Sequence, residues 1–310
     1  MCEGSILTRD ILNVLNNRFF VTYRGQIMGE LVLAAKVTHV PSMFISEQDG
    51  PHHGCRDAAI EGLKRIGNLC KEREVDTIII ADTHWLVNAG FHINAKPDMS
   101  GIFTSTEFPH FLSNMSYKHI GDPELGQLIA ECATNNGVPT LCHYEVDTLD
   151  VQYGTLVPLR YMGIEDDIKV VSIAGWMYDA ELEESKALGE AIRQAIEKSD
   201  KRVAFLASGS LSHRIPPNKI VGDYLFKISR PFNQSVDLMV LDLWQRGQVN
   251  EFLDMLPKYA KDCDGEGGMH DTSMLFGLLG WRDYEGCAEI YTDYFPSSGT
   301  GQCNVVFPVI

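Results

Sequence analysis

Three histidines and one glutamate stand where this chain can do chemistry. His39 follows the largely apolar run 31 to 37, and His84 follows 77 to 81. His213 follows 203 to 206 through the small-residue stretch Ala207-Ser208-Gly209-Ser210-Leu211-Ser212. Short apolar runs bounded by polar or Gly/Ser segments read as buried strands, so each histidine is expected in a loop just past a strand's C-terminal end. Open α/β sheets bind their ligands at such ends. Glu266 is bracketed by Gly265, Gly267 and Gly268, whose backbone freedom lets the chain bend closely around a bound group. Two neutral imidazoles and a carboxylate on one face of a metal ion leave the opposite positions open for an organic substrate and O2 together. His39, His84 and Glu266 are able to supply that set. His213, among small hydroxyl residues with no acidic neighbour in sequence, suits proton transfer at neutral pH.

Other motifs compete with these. His52, His53 and His270 are further metal-ligand candidates, although adjacent histidines on a strand or helix point apart and His270 reads as the opening of a helix. Gly209-Ser210-Leu211-Ser212-His213 approaches a nucleophile elbow, but His213 stands where that turn needs its final glycine, which disfavours a nucleophilic serine. Ser298-Gly299-Thr300-Gly301 has no following lysine and leads into a strand pattern. It reads as a tight turn rather than a phosphate cradle.

The elements that must position these residues follow from periodicity. Pro41 stops the first strand just after His39. Ala59, Leu63, Ile66 and Cys70, spaced three or four apart, predict an amphipathic helix over 55 to 73, which with strand 77 to 81 completes a first βαβ unit with parallel strands. Residues 86 to 120 are weakly periodic and read as a lid or pocket wall. Asp122-Pro123 caps a helix that ends at Gly137, a short strand is expected at 138 to 142, and Tyr153 to Pro158 passes from loop to helix. Then come strand 169 to 174, helix 180 to 198 and strand 202 to 207. Helices are expected at 231 to 246, closed by Gly247, at 249 to 256, closed by Pro257, and around Met274, Leu275, Leu278 and Leu279. Strands near 286 to 293 and 303 to 308 complete the chain. Residues 1 to 28 read as an N-terminal extension and 29 to 310 as one domain. The expected fold is α/β, a three-layer αβα arrangement with a mixed, largely parallel central sheet.

Composition narrows the partners. Across 310 residues, 42 acidic against 26 basic side chains give a formal charge of -16, with no separate Lys/Arg cluster, so neither nucleic acid nor an anionic membrane is expected. The eight cysteines are scattered without a C-x-x-C pair, which fits a reducing compartment. The start lacks a signal-peptide pattern and no apolar run approaches the ~20 residues that span a bilayer, so a cytoplasmic location is expected.

At Ala34 to Ser42, 76 to 88, Tyr153 to Pro158, 206 to 214, Gly265-Glu266-Gly267 with Met269 to Thr272, and Ser297 to Gln302, the chain resembles the class III extradiol ring-cleavage dioxygenases, the family that includes protocatechuate 4,5-dioxygenase. Within that family it is most similar to the branch acting on 3,4-dihydroxyphenylacetate. The similarity runs from about Met28 to Phe307. It implies that 29 to 310 is a catalytic domain in which His39, His84 and Glu266 hold Fe(II), with Mn(II) accepting the same ligands. It implies His213 as the acid–base residue, a small aromatic diol and O2 as substrates, ring opening to 5-carboxymethyl-2-hydroxymuconate semialdehyde in aromatic catabolism, and a homo-oligomer. The same scaffold also serves 2-aminophenol or other catecholates and, in a different class, non-catalytic interaction proteins. Many relatives carry His-Gly where this chain has Tyr153-Gly154, which brings Tyr153 in as a substrate-binding candidate. A carboxylate on the ring substituent calls for a cation, for which Arg214, His52 and His53 are the candidates.

Overall fold

The computed structural model describes residues 28–146, 149–164, 168–217 and 219–310; apart from Met28, the expected N-terminal extension lies outside the described residues. Strand β1 (Glu30–Val37) leads through a short helix α1 (Ser42–Ser46) into α2 (Asp57–Glu72) and then β2 (Thr77–Val87). Strands β3 (Phe91–Asn94), β4 (Asp98–Phe103) and β5 (Met115–Ile120) precede α3 (Pro123–Asn135), β6 (Thr140–His143) and α4 (Tyr153–Met162). The chain continues with β7 (Lys169–Met177), α5 (Leu182–Lys198), β8 (Arg202–Ser208), α6 (Pro231–Gln245), α7 (Val249–Asp262) and α8 (His270–Leu279). The hairpin β9 (Glu289–Ser297) and β10 (Thr300–Phe307) closes it.

Eight strands form one sheet in the order β6-β3-β7-β2-β8-β1-β10-β9, and β4 pairs with β5 in a separate two-stranded sheet. The centre, β7-β2-β8-β1, is parallel, while β3 runs antiparallel to β7 and β10 antiparallel to both β1 and β9. Alternate residues along each strand face opposite layers, as the two-residue strand period requires. Ile79 and Ala81 pack with α3, α5 and α8 through Ile129, Ile192 and Leu275. Ile78 and Ile80 pack with α2 and α4 through Leu63, Ile66 and Leu156. The chain is therefore a three-layer α/β structure with a mixed, mostly parallel sheet. Among the described residues, no helix is long and apolar enough to cross a membrane.

Four elements differ from the pattern read off the sequence. β2 does not stop at Ala81; it continues to Val87, and its register with β7 breaks between Asp82 and Leu86. His84 therefore sits on an irregular stretch inside the strand, where a local bulge re-aims its side chain. Residues 86 to 120 contain three strands, and only 104 to 114, between β4 and β5, keeps the expected character of a wall. Pro257 lies inside α7, because the buried face formed by Phe252, Leu253, Leu256 and Tyr259 continues across it. Tertiary packing outweighs the lost helical hydrogen bond there. The last two strands extend toward each other until only Ser298 and Gly299 separate them, both at positive φ (51° and 95°), the geometry of a two-residue hairpin turn. The helix cap at Asp122 is as expected: its carboxylate accepts from Leu125 N at 3.2 Å, with Pro123 in the first turn.

Candidate active site

Sheet order brings the histidines together. β8 lies between β1 and β2, and its last residue, Ser208, is in register with Val37 on one side and Asp82 on the other. His39, in the loop after β1, and His84, still within β2, each lie two residues beyond that level on either side of β8. The 3-10 turn after Gly265 lies against the segment following β8 through a bridge between Ser212 and Gly265 and a hydrogen bond from Glu266 N to Leu211 O at 3.2 Å. Gly267 and Gly268 adopt left-handed φ of 54° and 68°, which lets the chain double back directly after Glu266.

As a result, one ligand atom each from His39, His84 and Glu266 lies within 4.8 Å of the others. Glu266 Oε1 is 3.1 Å from His39 Nε2, 3.2 Å from His84 Nε2 and 3.6 Å from His213 Nε2. Its other oxygen accepts a hydrogen bond from Ser210 N. Burial by itself would raise the Glu266 carboxyl, but the imidazoles of His213 and His39 and the hydrogen bonds from His39 and His84 hold it well below the usual carboxylate range.

The Ser208 hydroxyl donates to Gly154 O at 2.5 Å, so Ser208 Oγ accepts from His39 Nδ1–H at 2.9 Å. With a single ring proton, His39 then aims its Nε2 lone pair at a carboxylate oxygen; with a second proton it donates there instead. Two acceptors this close repel unless a proton or a cation stands between them. A divalent cation satisfies both, and neutral imidazole nitrogens with a carboxylate oxygen are ordinary donors for one. The residues present fit a mononuclear metal.

Supporting contacts hold each part in place. Asp82 Oδ1 accepts from His84 N at 2.8 Å and Asp82 Oδ2 from Thr155 Oγ1 at 2.7 Å, which ties the bulge in β2 to the first turn of α4. Tyr153, the residue opening that helix, places its hydroxyl 2.7 Å from His84 Nε2. Burial, then the charges of Glu107, Glu266 and Asp82, push this phenol well above its ordinary value, so it stays protonated. Ser212 gives its hydroxyl (2.6 Å) and N–H (3.3 Å) to the buried carboxylate of Asp237, which also accepts from Tyr259 and Tyr294. His213 N donates to Asp264 O at 2.8 Å, fixing the backbone on the other side.

His39, His84, His213 and Tyr153 all line one cavity of about 460 Å³, part of it open to solvent. Glu107, Phe108 and Phe111 form a wall from the segment between β4 and β5, and Ser42, Ser297 and Thr300 form another. Arg214 and His52 do not line it. Arg214 is paired to Asp264 at 3.2 Å and is largely exposed, and His52 lies beside Phe226. His53 contacts Gln48 O at 3.2 Å, and His270 bonds Ser185 Oγ at 2.7 Å between α8 and α5. Sequence reading passed over Ser208, Asp82 and Gln302, the last of which lines the cavity and donates through its amide to Ser210 Oγ. The signal for Asp82 was a carboxylate ending an apolar strand two residues before a histidine; Ser208 and Gln302 gave none.

The fold and this geometry define a class of protein: an α/β sheet whose central parallel strands converge two imidazoles and a carboxylate on one pocket, with a third imidazole beside them. The chain belongs to the family described as the catalytic LigB subunit of aromatic ring-opening dioxygenase, whose model matches residues 33–308. It is 49% identical over 259 residues to a 3,4-dihydroxyphenylacetate 2,3-dioxygenase of Escherichia coli, covering 84% of this chain and 94% of the relative. It is 24% identical over 254 residues to a 2-aminophenol 1,6-dioxygenase beta subunit of Pseudomonas sp, covering 77% and 82%. The crystal structure of an uncharacterized protein of Escherichia coli K12 shares the fold, with a TM-score of 0.58 at 16% identity over 89% of this chain and 99% of the other.

Proposed function

We propose that the chain is an Fe(II)-dependent extradiol dioxygenase that opens 3,4-dihydroxyphenylacetate at its 2,3 bond, giving 5-carboxymethyl-2-hydroxymuconate semialdehyde. The observation that carries this reading is the convergence of His39, His84 and Glu266 within 4.8 Å, with His213 on the same carboxylate, in a ring-opening dioxygenase family. His39, His84 and Glu266 would hold the ion; Mn(II) accepts the same donors. Bound there, the ion supplies chelation of the diol and a path for electron density from the ring to O2.

The remaining work belongs to the chain's own residues. His213, about a quarter exposed and on the cavity wall, takes a proton from a substrate hydroxyl and returns it to the oxygen that develops charge as the ring opens. Phe108 and Phe111 limit water on the ring side. The protonated Tyr153 hydroxyl stands 2.7 Å from His84 Nε2 on the cavity wall, where it can donate to a substrate oxygen once that nitrogen holds the ion. Both atoms of O2 enter the product, so the balance requires no external reductant. The unpaired state of all seven cysteines among the described residues supports a reducing compartment, the cytoplasm. A homo-oligomer remains the expectation carried by the family resemblance.

The test is anaerobic reconstitution with Fe(II), addition of 3,4-dihydroxyphenylacetate and then air, with the visible spectrum followed. A rising yellow semialdehyde band is expected. His213→Phe should keep its iron while ring opening slows roughly 10²- to 10⁴-fold. Failure of the wild type to retain iron, or full turnover by the variant, overturns the reading.

A further inference from the structure

We propose that Arg56, acting through the hydroxyls of Ser42 and Ser297, is the cationic determinant that selects a carboxylate on the substrate's ring substituent. The inference rests on the ring-cleavage reading above and adds the residue that sequence reading sought at Arg214 and His52.

Arg56 is 5% exposed, and among the described residues it has no acidic partner. Its Nε donates to Ser42 Oγ at 2.9 Å, Nη1 to Pro296 O at 3.1 Å, and Nη2 to Leu225 O at 2.7 Å and Ser297 Oγ at 3.1 Å. All four acceptors are neutral. The rings of Phe226 and Phe295 lie 4.9 and 5.1 Å from the guanidinium carbon. Burial brings the group down to about 10, so it remains a cation at neutral pH. Lys36, equally buried, has Asp271 at 2.7 Å, and the contrast is informative. A buried cation without an anion carries a large desolvation cost, and an anion brought alongside relieves it.

The cavity lies on the other side of the two serines. Ser42 and Ser297 both line it, and both accept from the guanidinium. Their hydroxyl hydrogens therefore point away from Arg56; the two oxygens are 3.4 Å apart, so one hydroxyl donates to the other, and a carboxylate brought to this wall can take up both donors in its place. Ser42 is three residues beyond His39, so its Cα lies at most about 11 Å from that of His39. An aromatic ring held by its diol at the imidazoles would extend its substituent toward this wall. Arg56 would not touch the substrate; it would charge-assist the two hydroxyls that do.

The experiment compares KM for 3,4-dihydroxyphenylacetate with KM for the neutral 4-methylcatechol in the Fe(II)-loaded wild type, Arg56→Met, Arg56→Lys and the double variant Ser42→Ala/Ser297→Ala. The ratio of the two KM values should shift against the carboxylate roughly 10- to 100-fold in Arg56→Met and in the serine pair, with partial rescue in Arg56→Lys. Equal changes for both substrates would make Arg56 merely structural and overturn the proposal. If Arg56→Met does not fold, the serine pair, which keeps the guanidinium and its carbonyl contacts, decides the matter. Titration calorimetry of 4-hydroxyphenylacetate against 4-methylphenol reads the same preference without turnover. A wild type that opens no ring but prefers the arylacetate in a serine-dependent way would refute the ring-cleavage reading and keep this one. A wild type with no such preference would refute this one.

Discussion

Ser208 decides which nitrogen of His39 meets the carboxylate. Its hydroxyl is committed to Gly154 O, so its oxygen can only accept, and His39 must carry its proton on Nδ1. Hydrogen bonds of this kind fix tautomer and ring orientation in metal-binding histidines, and their loss costs about 10- to 100-fold in metal affinity. Ser208→Ala is therefore expected to weaken metal binding by about that factor in a competitive chelator titration while the fold, read by far-UV circular dichroism, stays intact. Unchanged affinity would mean that the sheet alone orients the ring. At this scale the sequence was readable for the ionisable residues that the fold brings together. His39, His84, His213 and Glu266 announced themselves through an apolar run or a glycine cluster next to an ionisable side chain. Ser208 did not, because one serine among four small residues gives no hint of which partner it will find across the sheet.

The element with the least room is the first turn of α4. A Cβ on Gly154 would overlap Asp82 Oδ1, the atom that accepts from His84 N, so helix and bulged strand touch backbone to carboxylate. Gly154→Ala should push Tyr153 and the turn away from β2 and destabilise the protein by about 1–3 kcal/mol, seen as a lowered melting temperature together with weaker metal binding. A variant that melts with the wild type would show that this approach can relax freely. Such contacts explain where legibility ended among the elements. The amphipathic helices and the apolar central strands followed from periodicity. The bulge in β2, the strands within 86 to 120 and the continuation of α7 through Pro257 did not, since each is imposed by a neighbour remote in sequence. Sheet order was hidden for the same reason: the first βαβ unit does have parallel strands, but nothing local says that β8 inserts between them.

Across the whole molecule, one buried ion pair links chain segments 235 residues apart that lie next to two of the metal-binding candidates. Lys36, three residues before His39, faces the same side of β1 as Ala34 and meets Asp271, in the first turn of α8 and five residues after Glu266, at 2.7 Å; both side chains are fully buried. Asp271 also accepts from Thr272 Oγ1 at 3.1 Å. The pair thus joins the strand that leads to one imidazole to the helix that follows the glycine turn. Breaking a buried pair from one side leaves an uncompensated charge and costs about 3–5 kcal/mol, whereas replacing both partners by apolar groups is often close to neutral. Lys36→Met should accordingly lower the urea midpoint steeply, and Lys36→Met/Asp271→Leu should recover most of the loss. The double variant's metal affinity then separates two roles. If stability returns but metal binding does not, the ion pair sets the distance between His39 and Glu266. If both return, packing of α8 against the sheet sets that distance, and the charges matter only because neither tolerates burial alone.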